Sequence, residues 1–306
     1  MSSGYLSAKH FHDEAAALAY VEARVWPNGP VCPHCGGTER IGVLQGKSTR
    51  MGVRKCYDCR KPFTVKVGTI FEDSHVAMHL WLQAIYLVAA SKKGISANQL
   101  HRVLGVSLKT AWFMGHRIRE AMNEPASGVL GGDGSLGIVE ADETYFGKVQ
   151  GRGKGCHATR KQKVVALVER KGRVRAFHVP SITAATLRPI LDQHVAKSAR
   201  LMTDDASHYI LLGREFASHE SVNHREKEYA RGDVHTNSAE GFFGVLKLGI
   251  GGVYQHVSPA HLARYVNEFA FRYNNRKALG VNDAQRASNL VAAVVGKRLT
   301  YQTTRA

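Results

Sequence analysis

Four cysteines and a handful of acids are the residues whose types and spacing could do chemistry. Cys32 and Cys35 form one Cys-x-x-Cys pair, Cys56 and Cys59 a second, with residues 36–55 between them. Thiolates at this spacing close a tetrahedral zinc site, each pair giving two ligands from one tight turn. Four protein ligands leave no open position, so the ion would be structural. Arg54 and Lys55, beside the second pair, favour thiolate over thiol. His34 lies inside the first pair and reads as a bystander; Cys156 has no partner and receives no role. In a reducing compartment such pairs favour metal over disulfides.

The acids stand in Glu140-Ala141-Asp142-Glu143, in Thr203-Asp204-Asp205, and at Glu240. Neighbours on a strand point to opposite faces, so only one of Asp142 and Glu143 lines a given site. Asp204 and Asp205 both remain open, and either could simply cap a following helix. Three carboxylates from two strand ends and a helix would offer hard oxygen ligands to Mg²⁺ or Mn²⁺. Two such ions, about 4 Å apart, suit displacement at a phosphodiester. Lys247 follows Glu240 by about two helical turns, so both would share one helix face. Tyr145 is adjacent, but no cluster of arginines and histidines surrounds it, and it reads as a packing residue.

These residues need elements to place them. Residues 41–55 are long enough for a hairpin between the cysteine pairs. Residues 78–122 read as three helices, with Ser107 capping the third. Ala111, Met114, Ile118 and Met122 form its apolar stripe, and Lys109, Phe113, His116 and Arg117 its other face. A short helix, a glycine-containing turn and a second, basic helix make a helix-turn-helix pattern, whose second helix enters a major groove. Residues 125–137, rich in glycine, mark a linker. Beyond them, 137–147 has strand character, and 163–170 and 173–179 form a hairpin. A helix at 183–197, a strand at 199–205, a helix after it, a strand at 219–224 and helices from 235 and 258 complete an α/β domain around one mixed sheet. Ser258 and Pro259 open the last of these.

The chain carries 42 Lys and Arg against 25 Asp and Glu, a formal charge of +17. Folding does not require that excess; it suits a polyanion partner. Residues 147–163 are basic and contain no acid, and Arg152, Lys154, Arg160 and Lys161 suit a phosphate backbone. Lys47, Arg50, Arg54, Lys55, Arg60 and Lys61 give the cysteine segment a similar character. The apolar run 80–90 is too short to span a membrane, and no signal-peptide pattern opens the chain. A cytoplasmic, nucleoid-associated location is expected.

VEADETYFG, LMTDDASHY, VNH and the block from His235 to Arg276 together resemble the Asp-Asp-Glu transposases of bacterial insertion sequences. The ISXO-like branch of the insertion sequence 1595 family, which also carries an N-terminal zinc ribbon, is the nearest pattern. The resemblance covers about residues 10–290. It implies a ribonuclease-H-like catalytic domain of the retroviral-integrase superfamily, with Asp142, Asp204 and Glu240 as ligands of two Mg²⁺ (or Mn²⁺) ions. Asp205 stands where relatives often have glycine or glutamate, and Asn237 is a minor alternative to Glu240. By the same resemblance Lys247 holds DNA near the cut. The implied activity is cleavage at terminal inverted repeats, then attack of the freed 3′ hydroxyl on target DNA. Two ends must be processed, which implies a homodimer or higher assembly on DNA. Rival readings are a DNA-binding regulator without catalysis and a nuclease that cuts without joining. The domain layout expected is 1–72 for the ribbon segment, 73–124 for the helix-turn-helix region, 125–137 for the linker, 138–290 for the catalytic domain and 291–306 for a tail.

Overall fold

The computed structural model describes residues 4–125, 127–147, 161–223, 226 and 228–300. They fall into two compact units, Met1–Asn123 with Val281–Ala306, and Glu124–Gly280.

The first unit opens with helix α1 (Glu14–Val25), capped by the Asp13 carboxylate, which accepts from the Ala16 N–H at 2.8 Å. A three-stranded antiparallel sheet follows: β1 (Ile41–Val43), β2 (Arg54–Cys56) and β3 (Pro62–Phe63), in that order. The pairing Ile41 to Cys56 makes the expected hairpin between the cysteine pairs. Arg54 ties this sheet to α1 by donating to Glu22 at 2.6 Å. Helices α2 (Met78–Ala90), α3 (Ala97–Leu104) and α4 (Leu108–Ala121) come next. Ser96 and Ser107 cap α3 and α4 by accepting from Gln99 and Thr110, and Gly105 ends α3 in the left-handed conformation at φ +67°. Trp81, Phe71, Met78, Ile85, Leu100, Met114 and Ile118 are all buried in this unit.

One expectation for this unit changes. His116 and Arg117 do not form an outer basic face; they are 2% and 5% exposed. The cause is that α4 is enclosed on several sides, with Gly115, Ile118 and Arg119 also buried. Arg117 donates to the backbone carbonyls of Ile70, Glu72 and Leu299 at 2.8, 2.6 and 3.1 Å. Lys109 is exposed, as expected. Helix α9 (Asp283–Ala292), the last among the described residues, belongs to the first unit, and the second unit ends at Gly280. Its Asn282 cap accepts from Gln285, Leu290 and Val291 are buried, and Arg286 donates to the Ala89 carbonyl on α2.

The second unit holds a five-stranded sheet: β4 (Ile138–Phe146), β5 (Gln162–Glu169), β6 (Val174–Val179), β7 (Arg200–Asp204) and β8 (Ser218–Val222). Its spatial order is β6-β5-β4-β7-β8; β4, β5 and β6 pair antiparallel, while β4, β7 and β8 pair parallel. Strand β5 is buried on both faces, in keeping with its apolar run. Val165 and Leu167 face a core built with α5 (Ala184–His194) and α6 (Ser207–Gly213). Val164, Ala166 and Val168 face a second core built with α7 (Asn237–Gly249) and α8 (Pro259–Asn274). Pro259 sits at the start of α8, while Ser258 holds the cap position without a side-chain cap bond.

A buried ionic anchor docks α7 on the sheet. Glu140, on β4, is 0% exposed. Its carboxylate accepts from the Ser238 and Ala239 N–H groups at 2.7 and 3.2 Å and from the Ser238 hydroxyl at 3.0 Å. These are donors that a helix start leaves without intrahelical partners, and the helix dipole favours a negative charge there. Arg170, in the β5–β6 turn, supplies the countercharge through Nε and a terminal nitrogen at 3.0 and 2.9 Å. Glu140→Ala would strand a buried guanidinium and several N–H groups, so it is expected to cost about 3–5 kcal/mol. Urea unfolding checks this by a lowered midpoint, with Glu140→Gln losing less.

Candidate metal sites

The four cysteine sulfurs lie within 4.8 Å of one another. The Cys32–Cys59 and Cys35–Cys56 sulfurs are both 3.6 Å apart. A tetrahedron with Zn–S bonds of 2.3 Å has edges of about 3.8 Å, so the set fits that ion. Two matched knuckles produce it. Each chain turn passes through left-handed backbone one residue after its second cysteine, at Gly36 (φ +76°) and Arg60 (φ +61°). Burial opposes ionisation of Cys32, but backbone N–H groups of His34 and Cys35 outweigh it and bring the thiol down to about 7. The donor set and its spacing are those of a structural zinc site.

Asp142 lies midway along β4 and Asp204 is the last residue of β7, on neighbouring strands in the middle of the second sheet. The parallel ladder pairs Glu140 with Met202, and Asp142 and Asp204 each follow by two residues. They stand side by side on adjacent strands, at the point where the chain crosses from one half of the sheet to the other. Open α/β sheets hold ligands at such a crevice. Glu240 lies in the first turn of α7, on the exposed side of a helix whose Ala239, Phe242, Phe243 and Leu246 are buried. Lys247 is exposed on the same side. The Glu140 anchor thus sets where α7 begins, and with it where Glu240 stands relative to Asp142 on the same strand.

The acids act on one another electrostatically. Burial, and behind it the charges of Glu143, Asp204 and Glu240, push the Asp142 carboxyl up to about 7 against the opposing Glu143 N–H. Asp204 is raised by burial and then by Glu143. Among the described residues, neither Asp142 nor Asp204 has a Lys or Arg ion pair. Half-buried carboxylates that feel one another's charge are a donor set suited to a hard divalent cation. The carboxylates are spaced more widely than the thiolates: among the described residues, only the cysteines bring three or more ligand atoms within 4.8 Å of one another.

Residues 135–274 match the family model for the ISXO2-like transposase domain, and residues 12–62 match that for the transposase zinc-ribbon domain. The chain is an insertion sequence 1595 family transposase. Its zinc ribbon is N-terminal. This transposase is 28% identical over 282 residues to the "Uncharacterized protein in transposable element ISH50" of Halobacterium salinarum, a match spanning 86% of this chain and 92% of that protein. Among solved structures, the Mos1 strand transfer complex matches at 12% identity, covering 63% of this chain and 76% of that one, with a TM-score of 0.23. A pre-cleavage Mos1 transpososome matches at 12%, covering 72% and 79%, with a TM-score of 0.22. Likeness at that level carries no argument about this transposase.

Of the other residues expected in the transposase site, Lys161 is half-buried just ahead of β5. Arg152, Lys154 and Arg160 lie outside the described residues, as does Cys156. Glu143 is the residue that strand alternation discounted. Its side chain does point to the α6 face, where Tyr209 donates to it at 3.1 Å and His208 stands 3.6 Å away, an ion-pair rather than hydrogen-bond distance. Even so, its charge is the first that Asp204 feels. Alternation along one strand does not reveal a charge that acts on the neighbouring strand.

The Asp142 shift has a stability consequence. Its carboxyl ionises near 7 in the folded chain and at the ordinary 3.8 when unfolded. The folded state therefore binds more protons between those values, and stability falls as pH rises through that window. Asp142→Asn removes the penalty: without metal it should be more stable than the parent at pH 8, by up to about 4 kcal/mol, and equal to it near pH 4. Adding Mg²⁺ should stabilise only the parent. Urea titrations at both pH values, with and without Mg²⁺, test all three outcomes.

Proposed function

We propose that this transposase cleaves DNA at the ends of its element and joins the freed 3′ hydroxyl to target DNA, with Asp142, Asp204 and Glu240 holding two Mg²⁺ ions. The observation that carries the reading is the pairing of half-buried Asp142 and Asp204 at the β4–β7 crevice, where Asp142 also feels the charge of Glu240 on α7. A sheet of order 3-2-1-4-5, counted from β4, in which only the second strand is antiparallel to the rest, supports a ribonuclease-H-like reading of this unit. When bound, the divalent ions would supply charge neutralisation at the phosphodiester and a route to an ionised nucleophile at neutral pH. The protein's own residues do the rest. Asp142 and Asp204 are fixed by the parallel ladder, and Glu240 by the docking of α7. Lys247, on the exposed side of that helix, contributes a phosphate contact near the cut. No serine or tyrosine nucleophile is required, so no covalent enzyme intermediate forms.

Binding of the ends is assigned to the first unit. The α3–turn–α4 pair, with Ser107 and Gly105 at its joint and Lys109 exposed on α4, supports the helix-turn-helix reading. His116 and Arg117 are removed from that contact set because they serve the interior. Lys109 and the basic residues of 147–163 remain proposed DNA contacts. Two like ends in one reaction favour a dimer or larger assembly on DNA, and such a protein would be nucleoid-associated.

The test is incubation with DNA flanking the chain's own gene, Mg²⁺ and a target plasmid, scoring joined product and nicks separately. Asp204→Asn and Glu240→Gln should each lower joining more than ~100-fold, beyond the 10–100-fold loss typical of residues that merely support a metal ligand. Lys247→Ala should reduce the salt slope of DNA binding by about one. Nicks without joined product would make the protein a nuclease, and binding without either would make it a regulator.

A further inference from the structure

Beside α4 lies a hollow of about 320 Å³, lined by His75, Trp81, Lys109, Trp112 and Phe113 among others. Its floor is fixed. Trp81 is 1% exposed, and its indole N–H donates to the Ser74 hydroxyl at 3.0 Å. Phe113 is held from one side by the Arg117 guanidinium, 4.5 Å from its ring. Trp112 stands at the rim, 38% exposed, with the His116 ring 4.2 Å from its own. A second hollow of about 690 Å³ shares the Asp73-Ser74-His75 edge and continues past Lys66 and Arg50 toward the cysteine ribbon.

We propose that the smaller hollow captures one unstacked nucleobase from the end of the element's DNA. This rests on the reading of α4 as a DNA-binding helix. The volume is at the small end of ligand cavities and suits one flat ring system. Its walls are aromatic, and a base stacked on an aromatic side chain gains about 1–3 kcal/mol whatever its identity. Cations border the way in: Lys109 on α4 and Arg50 along the adjoining hollow can follow a backbone of phosphates. In a chain of charge +17 the matching partner is a polyanion carrying flat apolar rings, which describes nucleic acid better than an apolar peptide. Capture would open the duplex next to the helix that reads it, and so mark the place where strands must separate. The cost of unpairing is smallest for a base that is already mismatched.

The experiment is a mismatch scan. Duplexes from the DNA flanking the chain's own gene carry a single mismatch at each position in turn, and full-length protein is titrated against them. At one position the mismatch should tighten binding about tenfold over the matched duplex. Trp112→Phe should keep that gain. Trp112→Ala should abolish it, while the salt slope on the matched duplex stays as in the parent because phosphate contacts are intact. The proposal is overturned if the matched duplex binds yet no mismatch tightens it, or if the gain survives in Trp112→Ala. Equal affinity for flanking and scrambled duplexes defeats the underlying DNA reading as well, a distinct result.

Discussion

The second unit depends on one buried carboxylate meeting one helix end. Glu140 sits without solvent exposure in the middle of the sheet, where a lone charge is costly. It is tolerated because the start of α7 presents unsatisfied N–H groups to it and Arg170 balances the charge. Neither side is satisfied without the other. The pairing therefore specifies where α7 starts along β4, something that the apolar contacts of Phe242, Phe243 and Leu246 alone leave free to slide by a turn. Glu240 inherits its position from that registration.

The same sheet sets up the opposing tension. A parallel ladder between β4 and β7 brings Asp142 and Asp204 abreast, and Glu143 adds a third charge from the far face of the strand. Burial and mutual repulsion raise Asp142 to about 7. Stability is thus reduced where these charges gather, and the Glu140 anchor lies two residues away to hold the frame. A cation would reverse the sign of every interaction within the group.

Much of this was legible in the sequence. The apolar β-branched run of β5 and the Lys-Gly turn after it identify the hairpin, and two Cys-x-x-Cys pairs identify the ribbon because thiolate geometry depends on short-range spacing alone. Helix periodicity placed Glu240 and Lys247 on one face of α7, where both are exposed, while the choice of Asp142, Asp204 and Glu240 as ligands came from family resemblance. What periodicity could not show is what lies on the other side of an element. The polar side of α4 looked solvated, yet packing from residues 70–72 and 299 encloses it, and Arg117 became a staple for three carbonyls. Glu143 looked turned away because alternation describes one strand, whereas its influence on Asp204 comes from a neighbour. Helix α9 was missed because its ten residues offer a short pattern, and its burial depends on α2, far off in sequence.

The central claim is that Asp142, Asp204 and Glu240 draw in around divalent metal. Anomalous diffraction from crystals grown with Mn²⁺ measures it most directly. The account predicts manganese peaks at the β4–β7 crevice, with oxygens of all three side chains within about 2.0–2.6 Å of an ion. Manganese bound elsewhere, or a crevice without anomalous signal at saturating Mn²⁺, would contradict it.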